Sequence, residues 1–245
     1  DDLEISLIIF QAIDQFAKKN NIISCNFLYA DSAWAKIAEA ANYSKWLNKH
    51  SLWLAGSKEN FSEYLSSFNS NQRRNINRER KSVKDSGIIV SALTGDHITQ
   101  NIMQRMYFFY ELHCSKWGPW GSKYITEDFF EGLASNGHRN NVVLFQAKKE
   151  LSDEPLAMSL CIKNEEMLWG RYWGSKEEID CLHFELCFYA PIEWALENGI
   201  KKFDPGAGGS HKLRRGFSLK SNMSLHRWYN NEMEVLIRPW LEKVN

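Results

Sequence analysis

The sequence predicts an α/β fold of the α+β type, in which helices flank a mixed β-sheet. Helix-like and strand-like patterns alternate along the 245 residues, an order typical of a sheet covered by helices. Three apolar runs between residues 141 and 173 are separated by short polar turns, which indicates a meander of neighbouring strands. Hydrophobic residues make up 44% of the chain, enough for a substantial core.

The first part of the chain predicts two helix–strand pairs. They are a helix at 3–19, a strand at 22–29, a helix at 32–42 with Ser32 as its cap, and a strand at 46–54. Residues 61–84 then follow helical spacing as one amphipathic helix with a basic outer face.

The second part predicts a longer run of alternating elements. Its strands are expected at 88–93, 141–148, 156–162, 167–173, 200–203 and 225–229. Its helices are expected at 99–116, from Thr126 onward, at 182–198, 212–217 and 232–244. Pro191 fits near the first turn of the 182–198 helix, and Gly199 is a suitable stop for it.

The charge is neutral overall but is not evenly spread. Residues 72–84 carry six cations against one acid, and residues 201–220 again carry six against one. Two basic stripes on a neutral chain indicate a localised contact with phosphate or another polyanion. The alternative is a pair of solvated surfaces.

The five cysteines form no C-x-x-C pair, which predicts reduced thiols and a cytoplasmic protein. No apolar run approaches the length of about 20 residues that a membrane span needs. The chain lacks the pattern of a signal peptide and starts abruptly in a helix-like pattern, so we expect it to be trimmed at the front.

Residues 203–217 read F-D-P-G-A-G-G-S-H-K-L-R-R-G-F. Glycines allow a backbone to approach a ligand closely, and the adjacent cations suit phosphate or carboxylate. This glycine loop is therefore either a ligand cradle or an irregular surface loop.

Five segments resemble, in order and spacing, the FemAB-like family, usually labelled peptidoglycan biosynthesis, within the acetyltransferase-like (GNAT) fold. They are N-Q-R-R-N-I-N-R-E-R (71–80), W-G-P-W-G-S-K-Y-I-T-E-D-F-F (117–130), L-W-G-R-Y-W-G (168–174), L-H-F-E-L-C-F-Y (182–189) and the glycine loop. Together they extend over nearly the whole chain.

The resemblance implies a GNAT-like mixed sheet, with one complete domain and part of a preceding one. We expect residues 1–60 to be the remainder of a first lobe, 61–85 a connecting helix, and 86–245 the complete domain. Fem-type enzymes transfer an aminoacyl group from aminoacyl-tRNA to an amine, whereas simple GNAT enzymes use acyl-CoA. Ser210 stands where the family usually has an acid, which favours binding over catalysis for this loop.

The strand at 167–173 places Arg171 on one face with Trp169 and Trp173. A cation between two indoles, with Tyr172 beside it, suits a carboxylate or phosphate. The alternative is a sheet-edge arginine paired with an acid.

His183 and Glu185 share a face only if their segment is extended, and they are then a candidate acid–base pair. In a helix they point to different sides, and Glu185 instead suits the helix start. A zinc site of these residues with His211 lacks any known ligand spacing, so no metal is expected.

The remaining candidates surround this pair. His211 is a candidate proton shuttle, and the predicted binding residues of the glycine loop are Gly206, Gly208, Gly209, Lys212, Arg214 and Arg215. A pocket lip is predicted from Trp117, Trp120 and Tyr124. An outer contact to tRNA is predicted from Arg73, Arg74, Arg78 and Arg80.

These observations favour a Fem-like acyl or aminoacyl transferase that forms an amide by direct attack of an amine on an activated acyl donor. The donor would be aminoacyl-tRNA or acyl-CoA as co-substrate, with no tightly bound cofactor, and the acceptor an amine-bearing small molecule or peptide. The absence of G-x-S-x-G and of the Q/R-x-x-G-x-G/A pyrophosphate signature disfavours a nucleophilic triad and a standard CoA enzyme. The alternatives are a non-catalytic binding module and an atypical acyl-CoA-dependent N-acetyltransferase.

Overall fold

The computed structural model describes residues 2–206 and 209–244. Contacts divide the chain into two compact units. The first unit combines Asp1–His50 with Leu219–Asn245, and the second is Ser51–Ser218. In the described residues, no helix is both long enough and apolar enough to cross a bilayer.

The α-helices are α1 (Asp2–Lys19), α2 (Ser32–Ala40), α3 (Phe61–Ser66), α4 (Ser70–Asp85), α5 (Gln100–Ser115), α6 (Glu127–Leu133), α7 (Leu182–Phe184), α8 (Ala190–Glu197) and α9 (Asn231–Val244). The strands are β1 (Ser24–Phe27), β2 (Ser44–Leu54), β3 (Ile88–Thr94), β4 (Val142–Lys149), β5 (Pro155–Lys163), β6 (Met167–Ser175), β7 (Lys202–Asp204) and β8 (Ser218–Trp228). A π-helical turn, Glu185–Tyr189, joins α7 to α8, and Ser210–Arg215 form a 3₁₀ helix.

The sheet of the second unit has the order β2-β7-β6-β5-β4-β3. The strands β4 to β6 form an antiparallel meander, as predicted, and β3 pairs antiparallel with β4. The strand β7 pairs in parallel with β6 and antiparallel with the end of β2, at Trp53 and Leu54. The sheet is therefore mixed.

Helices cover both faces of this sheet. On one face Met106 of α5 and Phe130 of α6 share a core with Leu144 of β4. On the other face Ile192 of α8 shares a core with Phe145, also of β4. Neighbouring residues of β4 thus enter opposite cores, as the alternation of a strand requires.

The first unit has its own core. The strand β8 lies between β1 and β2, and β1 pairs antiparallel with β8 from Ser24, opposite Trp228. Phe10 of α1, Ala38 of α2 and Leu225 of β8 are fully buried together. This unit contains α9 as well.

Three predicted helices differ in detail. The single helix expected at 61–84 is divided into α3 and α4, because the side chain of Asn69 accepts the backbone N–H of Gln72 and starts a new helix. The cap of α2 is Asp31, not Ser32. The helix expected at 182–198 is interrupted by the π turn.

The compact units end at other positions than the predicted lobes. The units divide after His50 and Ser218, so β8 and α9 belong with the N-terminal elements. The division into 1–60, 61–85 and 86–245 is inferred from the family resemblance, and it stays a prediction.

Candidate functional site

A cavity of about 220 Å³ lies where β6 and β7 separate. These strands pair only from Met167 to Trp169 on β6. The cavity walls beyond that point come from β5, β6, α7, the π turn and the glycine loop. They include Ser159, Cys161, Gly170, Arg171, Tyr172, Trp173, His183, Cys187, Phe188, Pro205, Gly209, His211 and Lys212.

A β-bulge at Arg171 shapes one wall. Gly170 lies opposite Cys161 on β5, whereas Tyr172 lies opposite the adjacent residue, Leu160, so Arg171 is an extra residue. Such an insertion breaks the alternation of a strand. Arg171 itself is exposed, and its Nη1 donates to the carbonyl of Gly170 at 3.2 Å.

The bulge places Trp169 and Trp173 on opposite faces of the sheet. Trp173 lies opposite Ser159, whose hydroxyl donates to the carbonyl of Leu186 at 2.7 Å on the π-turn side. Trp169 lies opposite Ile162, which packs in the core beneath α5. The prediction that Arg171 lies between two indoles on one face is therefore wrong.

His183 lies in the cavity wall among aromatic rings. Its ring centroid is 4.6 Å from Trp173, 5.3 Å from Phe188 and 6.3 Å from His211. Burial lowers the pKa of His183 to about 4, and the positive charges of neighbouring histidines, Arg215 and Lys212 act in the same direction. His183 is therefore neutral at pH 7.

Glu185 is not the partner of His183. Its segment is helical, and its carboxylate binds Arg80 of α4 through Nη2 at 2.9 Å and Nε at 3.1 Å. The second carboxylate on Arg80 is Glu193, at 2.7 Å. The predicted acid–base pair is therefore wrong, and a zinc site of His183, Glu185 and His211 is not assembled.

The same ion pairs correct the prediction for Arg80. Burial opposes its charge, but hydrogen bonds with Glu193 and Glu185 raise its pKa above the ordinary value. Arg80 faces inward. Of the other predicted outer cations, Arg74 and Arg78 are exposed, and Arg73 is half-buried with Nη1 donating to the carbonyl of Phe68 at 3.3 Å.

The glycine loop is held by internal hydrogen bonds. The N–H of Gly206 donates to Asp204 Oδ1 at 2.8 Å, and the buried Lys212 donates its Nζ to the carbonyl of Gly206 at 2.7 Å. Gly209 has a φ of +82°, and a Cβ there would lie 2.3 Å from the ring of His211. Both the positive φ and the lack of space for a Cβ therefore require glycine at position 209. Gly208 lies outside the described residues.

Arg215 does not line the cavity but links the glycine loop to α4. Its Nη2 lies 2.7 Å from Glu79 of α4, and its Nη1 donates to the carbonyl of His211 at 3.0 Å. The guanidinium also lies 3.5 Å from the ring centroid of Phe184. The predicted ligand contact of Arg215 is therefore wrong, and Arg214 is exposed outside the cavity.

His211 is the second histidine of the cavity. Burial, followed by the charges of Arg215 and Lys212, lowers its pKa. Burial likewise lowers the pKa of Lys212. Among the described residues, the cavity walls hold the cations Arg171 and Lys212 and no carboxylate.

A second cavity of about 400 Å³ adjoins the first on the α5 side of β6. Trp117 and Trp120, predicted as a lip, line this cavity together with Arg171, Tyr172 and Trp173. Tyr124 is largely exposed and lines neither cavity.

Sequence reasoning missed several wall residues, among them Cys161, Cys187 and Phe188. Burial raises the pKa of the Cys161 thiol to about 12 and that of Cys187 well above its usual range. Cys187 and Phe188 lie about one helical turn after His183, a spacing that indicated a shared wall.

Comparison with solved structures confirms the GNAT-like fold. The structure of L-PGS from Bacillus licheniformis matches with a TM-score of 0.64 at 9% identity, over 96% of this chain and 78% of that one. The C-terminal domain of a putative lysylphosphatidylglycerol synthetase from Agrobacterium fabrum gives 0.64 at 8% identity, over 96% and 77%. FemX gives 0.56 at 11% identity, over 94% and 78%. FemX and lysylphosphatidylglycerol synthetase have GNAT-like folds.

Comparison with curated proteins gives no significant match. A sequence profile of the FemAB-like family, described as peptidoglycan biosynthesis/recognition, matches residues 1–245. The resemblance carried by the five segments is thereby confirmed, and the chain belongs to the FemAB-like family.

Proposed function

We propose that this protein is an acyl or aminoacyl transferase that forms an amide by direct attack of an amine on an activated ester or thioester. The observation that carries the proposal is the cavity between the separated ends of β6 and β7. From Gly170 onward β6 has no β7 partner in the described chain, so backbone groups on this edge can face the cavity. Backbone N–H groups fixed in this way suit the oxyanion of a tetrahedral intermediate.

The cations in the cavity wall support the same chemistry. Lys212 stands in its wall and Arg171 at its rim, with no carboxylate among the described wall residues. Negative charge that develops on a carbonyl oxygen is stabilised there. A free ammonium is disfavoured, so the amine would react in its neutral form.

His183 is the proposed acceptor of the proton that leaves the attacking amine. Its imidazole is neutral at pH 7 because burial lowers its pKa to about 4. An amine nitrogen becomes a much stronger acid once it is bonded to the carbonyl carbon, so a weak neutral base within reach is sufficient. The imidazolium holds this proton weakly and can give it to the oxygen or sulfur of the leaving group as the acyl bond of the donor breaks.

The thiols of the cavity support attack without a covalent intermediate. Cys161 and Cys187 stand in the wall, but their raised pKa keeps them protonated near neutral pH. A protonated thiol is a poor nucleophile.

The proposed donor is an aminoacyl-tRNA. Arg74 and Arg78 project from α4 into solvent and offer charge for a nucleic-acid backbone. Proteins similar in fold include FemX and a putative lysylphosphatidylglycerol synthetase. The acceptor would be an amine-bearing small molecule or peptide, and acyl-CoA is the second donor candidate.

A binding module is the second candidate function. The family description includes recognition as well as biosynthesis. Ser210, in place of the family's acid, also favours it.

Transfer is tested by mass spectrometry of amide products after incubation with aminoacyl-tRNAs or acyl-CoAs and a panel of amines. We expect His183→Asn to lower the rate about 10²-fold or more. The matched control is His226→Asn, because His226 is also partly buried but lies in the first unit, where it contacts Asn26 and Ser224. Equal rates for both variants would overturn the role of His183, and no product with any donor would favour the binding module.

The tRNA donor is tested by filter binding at increasing salt. Removing Arg74 and Arg78 together should reduce the slope of log K against log[salt] by roughly 1.5 to 2. Arg105→Ala, which removes a partly exposed arginine already paired with Glu154, is the control. An unchanged slope in the double variant would place the nucleic acid elsewhere.

A further inference from the structure

The second cavity is larger than the first and has walls of a different kind. Its volume is about 400 Å³, against about 220 Å³ for the first. Five aromatic rings stand in its wall, those of Tyr110, Trp117, Trp120, Tyr172 and Trp173. Two of these indoles are open to solvent, Trp117 with 63% and Trp120 with 88% of their surface exposed. Exposed large aromatic groups beside a cavity are typical of a binding surface.

The only charged residue that this cavity offers, among the described residues, is Arg171. In the described chain Arg171 has no ion pair, and its recorded hydrogen bond is the one to the carbonyl of Gly170. The one histidine of the wall, His113, has its pKa lowered by burial and by Lys116. The nearby Lys123 and Glu111 neutralise each other as an ion pair.

These walls select the charge and the shape of a ligand. A guanidinium without a carboxylate partner binds a carboxylate or a phosphate, in favourable cases through two parallel hydrogen bonds. Indole faces add stacking with a flat ring. A cationic ligand would meet Arg171 with no compensating acid.

The second cavity shares part of its wall with the first. Arg171, Tyr172 and Trp173 stand in the walls of both. The ring of Trp173 lies 5.8 Å from His113 and 4.6 Å from His183, so it separates the two cavities. A molecule whose anionic group is held at Arg171 can therefore extend towards His183.

We propose that the second cavity binds a ring-bearing anion, with its carboxylate or phosphate on Arg171 and its ring against the indoles of Trp117 and Trp120. The inference rests on the proposed function in one respect, that this ligand is the non-reacting end of the amine acceptor. Binding at a remote end supplies energy that positions the reacting amine.

Calorimetry with simple probes tests the site without turnover. We expect phenyl phosphate to bind at least tenfold more tightly than inorganic phosphate, and phenethylamine not to bind. Arg171→Gln should weaken phenyl phosphate at least tenfold, and Trp120→Leu should reduce its advantage over inorganic phosphate. Arg105→Gln should bind phenyl phosphate like the unaltered protein.

Indole N–H signals in NMR spectra locate the probe. Phenyl phosphate should shift the signal that is lost in Trp120→Phe and leave the signal of Trp240, in the first unit, unchanged. Equal affinity for phenyl and inorganic phosphate, tighter binding of phenethylamine, or an unchanged affinity in Arg171→Gln would each overturn the proposal. These measurements need no acyl transfer, so an absence of the expected binding would overturn this proposal and leave the proposed reaction untouched. Conversely, binding of phenyl phosphate by a protein that transfers no acyl group would refute the proposed reaction and leave the binding site.

Discussion

Replacing Glu79 by glutamine removes the negative charge behind the glycine loop. The carboxylate of Glu79 binds Arg215 Nη2 at 2.7 Å, and the same oxygen accepts the hydroxyl of Tyr189. Glutamine keeps the size and one acceptor oxygen but loses the charge. The side chain of Arg215 is only 6% exposed, so its guanidinium would remain buried without a counter-charge.

The cost follows from this burial. Removing one partner of a buried ion pair costs about 3–5 kcal/mol because the other charge is left uncompensated. The side chain of Glu79 is itself 17% exposed, so we expect the lower end of that range. For a protein of this size each kcal/mol lowers the melting temperature by about 2–4 °C, so about 3 kcal/mol corresponds to roughly 6–12 °C.

A local effect on His211 should accompany the loss of stability. Arg215 holds the carbonyl of His211 at 3.0 Å, and the Glu79 charge raises the pKa of the His211 ring. Without that carboxylate we expect the pKa of His211 to fall further. The pKa of His183, which lies in the same wall, should fall less, because burial and neighbouring cationic groups, not Glu79, set it.

Thermal melting and NMR titration of the histidine rings measure both effects. Glu193→Gln is the matched control, because Glu193 likewise binds an arginine, Arg80 of α4, but Arg80 keeps Glu185 as its second partner. Its side chain is 35% exposed, and we expect a cost of about 1 kcal/mol or less. A melting temperature of Glu79→Gln as high as that of Glu193→Gln, with an unchanged His211 titration, would refute the reasoning.

Two further outcomes follow from the described contacts. Burial lowers the pKa of His183 from 6.5 to about 4, so between these pH values His183 is protonated in the unfolded chain but neutral in the folded one. The contribution of His183 to the free energy of unfolding is therefore full above pH 6.5 and is lost as the pH falls towards 4. Urea unfolding should lose about 2 kcal/mol between pH 7 and pH 5, and less in His183→Gln. A Cβ on Gly174 would lie 2.0 Å from the carbonyl oxygen of Phe109, so Gly174→Ala should cost about 3 kcal/mol. Gly132 lies in α6, and no neighbouring atom lies near the position that a Cβ would take, so Gly132→Ala should instead stabilise the fold by roughly 0.5–1 kcal/mol. Equal melting temperatures for Gly174→Ala and Gly132→Ala would contradict this.

Most elements were predictable because their signals are local. The meander from β4 to β6 follows from apolar runs and turns, and α5 begins at Gln100, one residue after the predicted start at Thr99. The division between α3 and α4 was also encoded locally, since Asn69 is a good cap, but the apolar spacing continues across it and hid the break.

The site was less predictable because its decisive contacts join distant residues. Arg80 and Glu185 are 105 positions apart, and Glu79 and Arg215 are 136 apart. No local pattern distinguishes a cation paired at that separation from one open to a ligand. His183, His211 and Lys212 line one cavity, and each follows one of the parallel strands β6 and β7, whose carboxyl ends lie at the same edge of the sheet.

The bulge at Arg171 gives the rim of both cavities an inserted residue. Between Trp169 and Trp173 the chain has one residue more than regular pairing with β5 allows, and this odd insertion sends the two indoles to opposite faces. Deleting Arg171 would leave the remaining residues in regular pairing with β5, with Trp169 still opposite Ile162 and Trp173 still opposite Ser159. The guanidinium at the cavity rim is therefore carried by an inserted residue, so a deletion would remove it without turning either indole to the other face of the sheet.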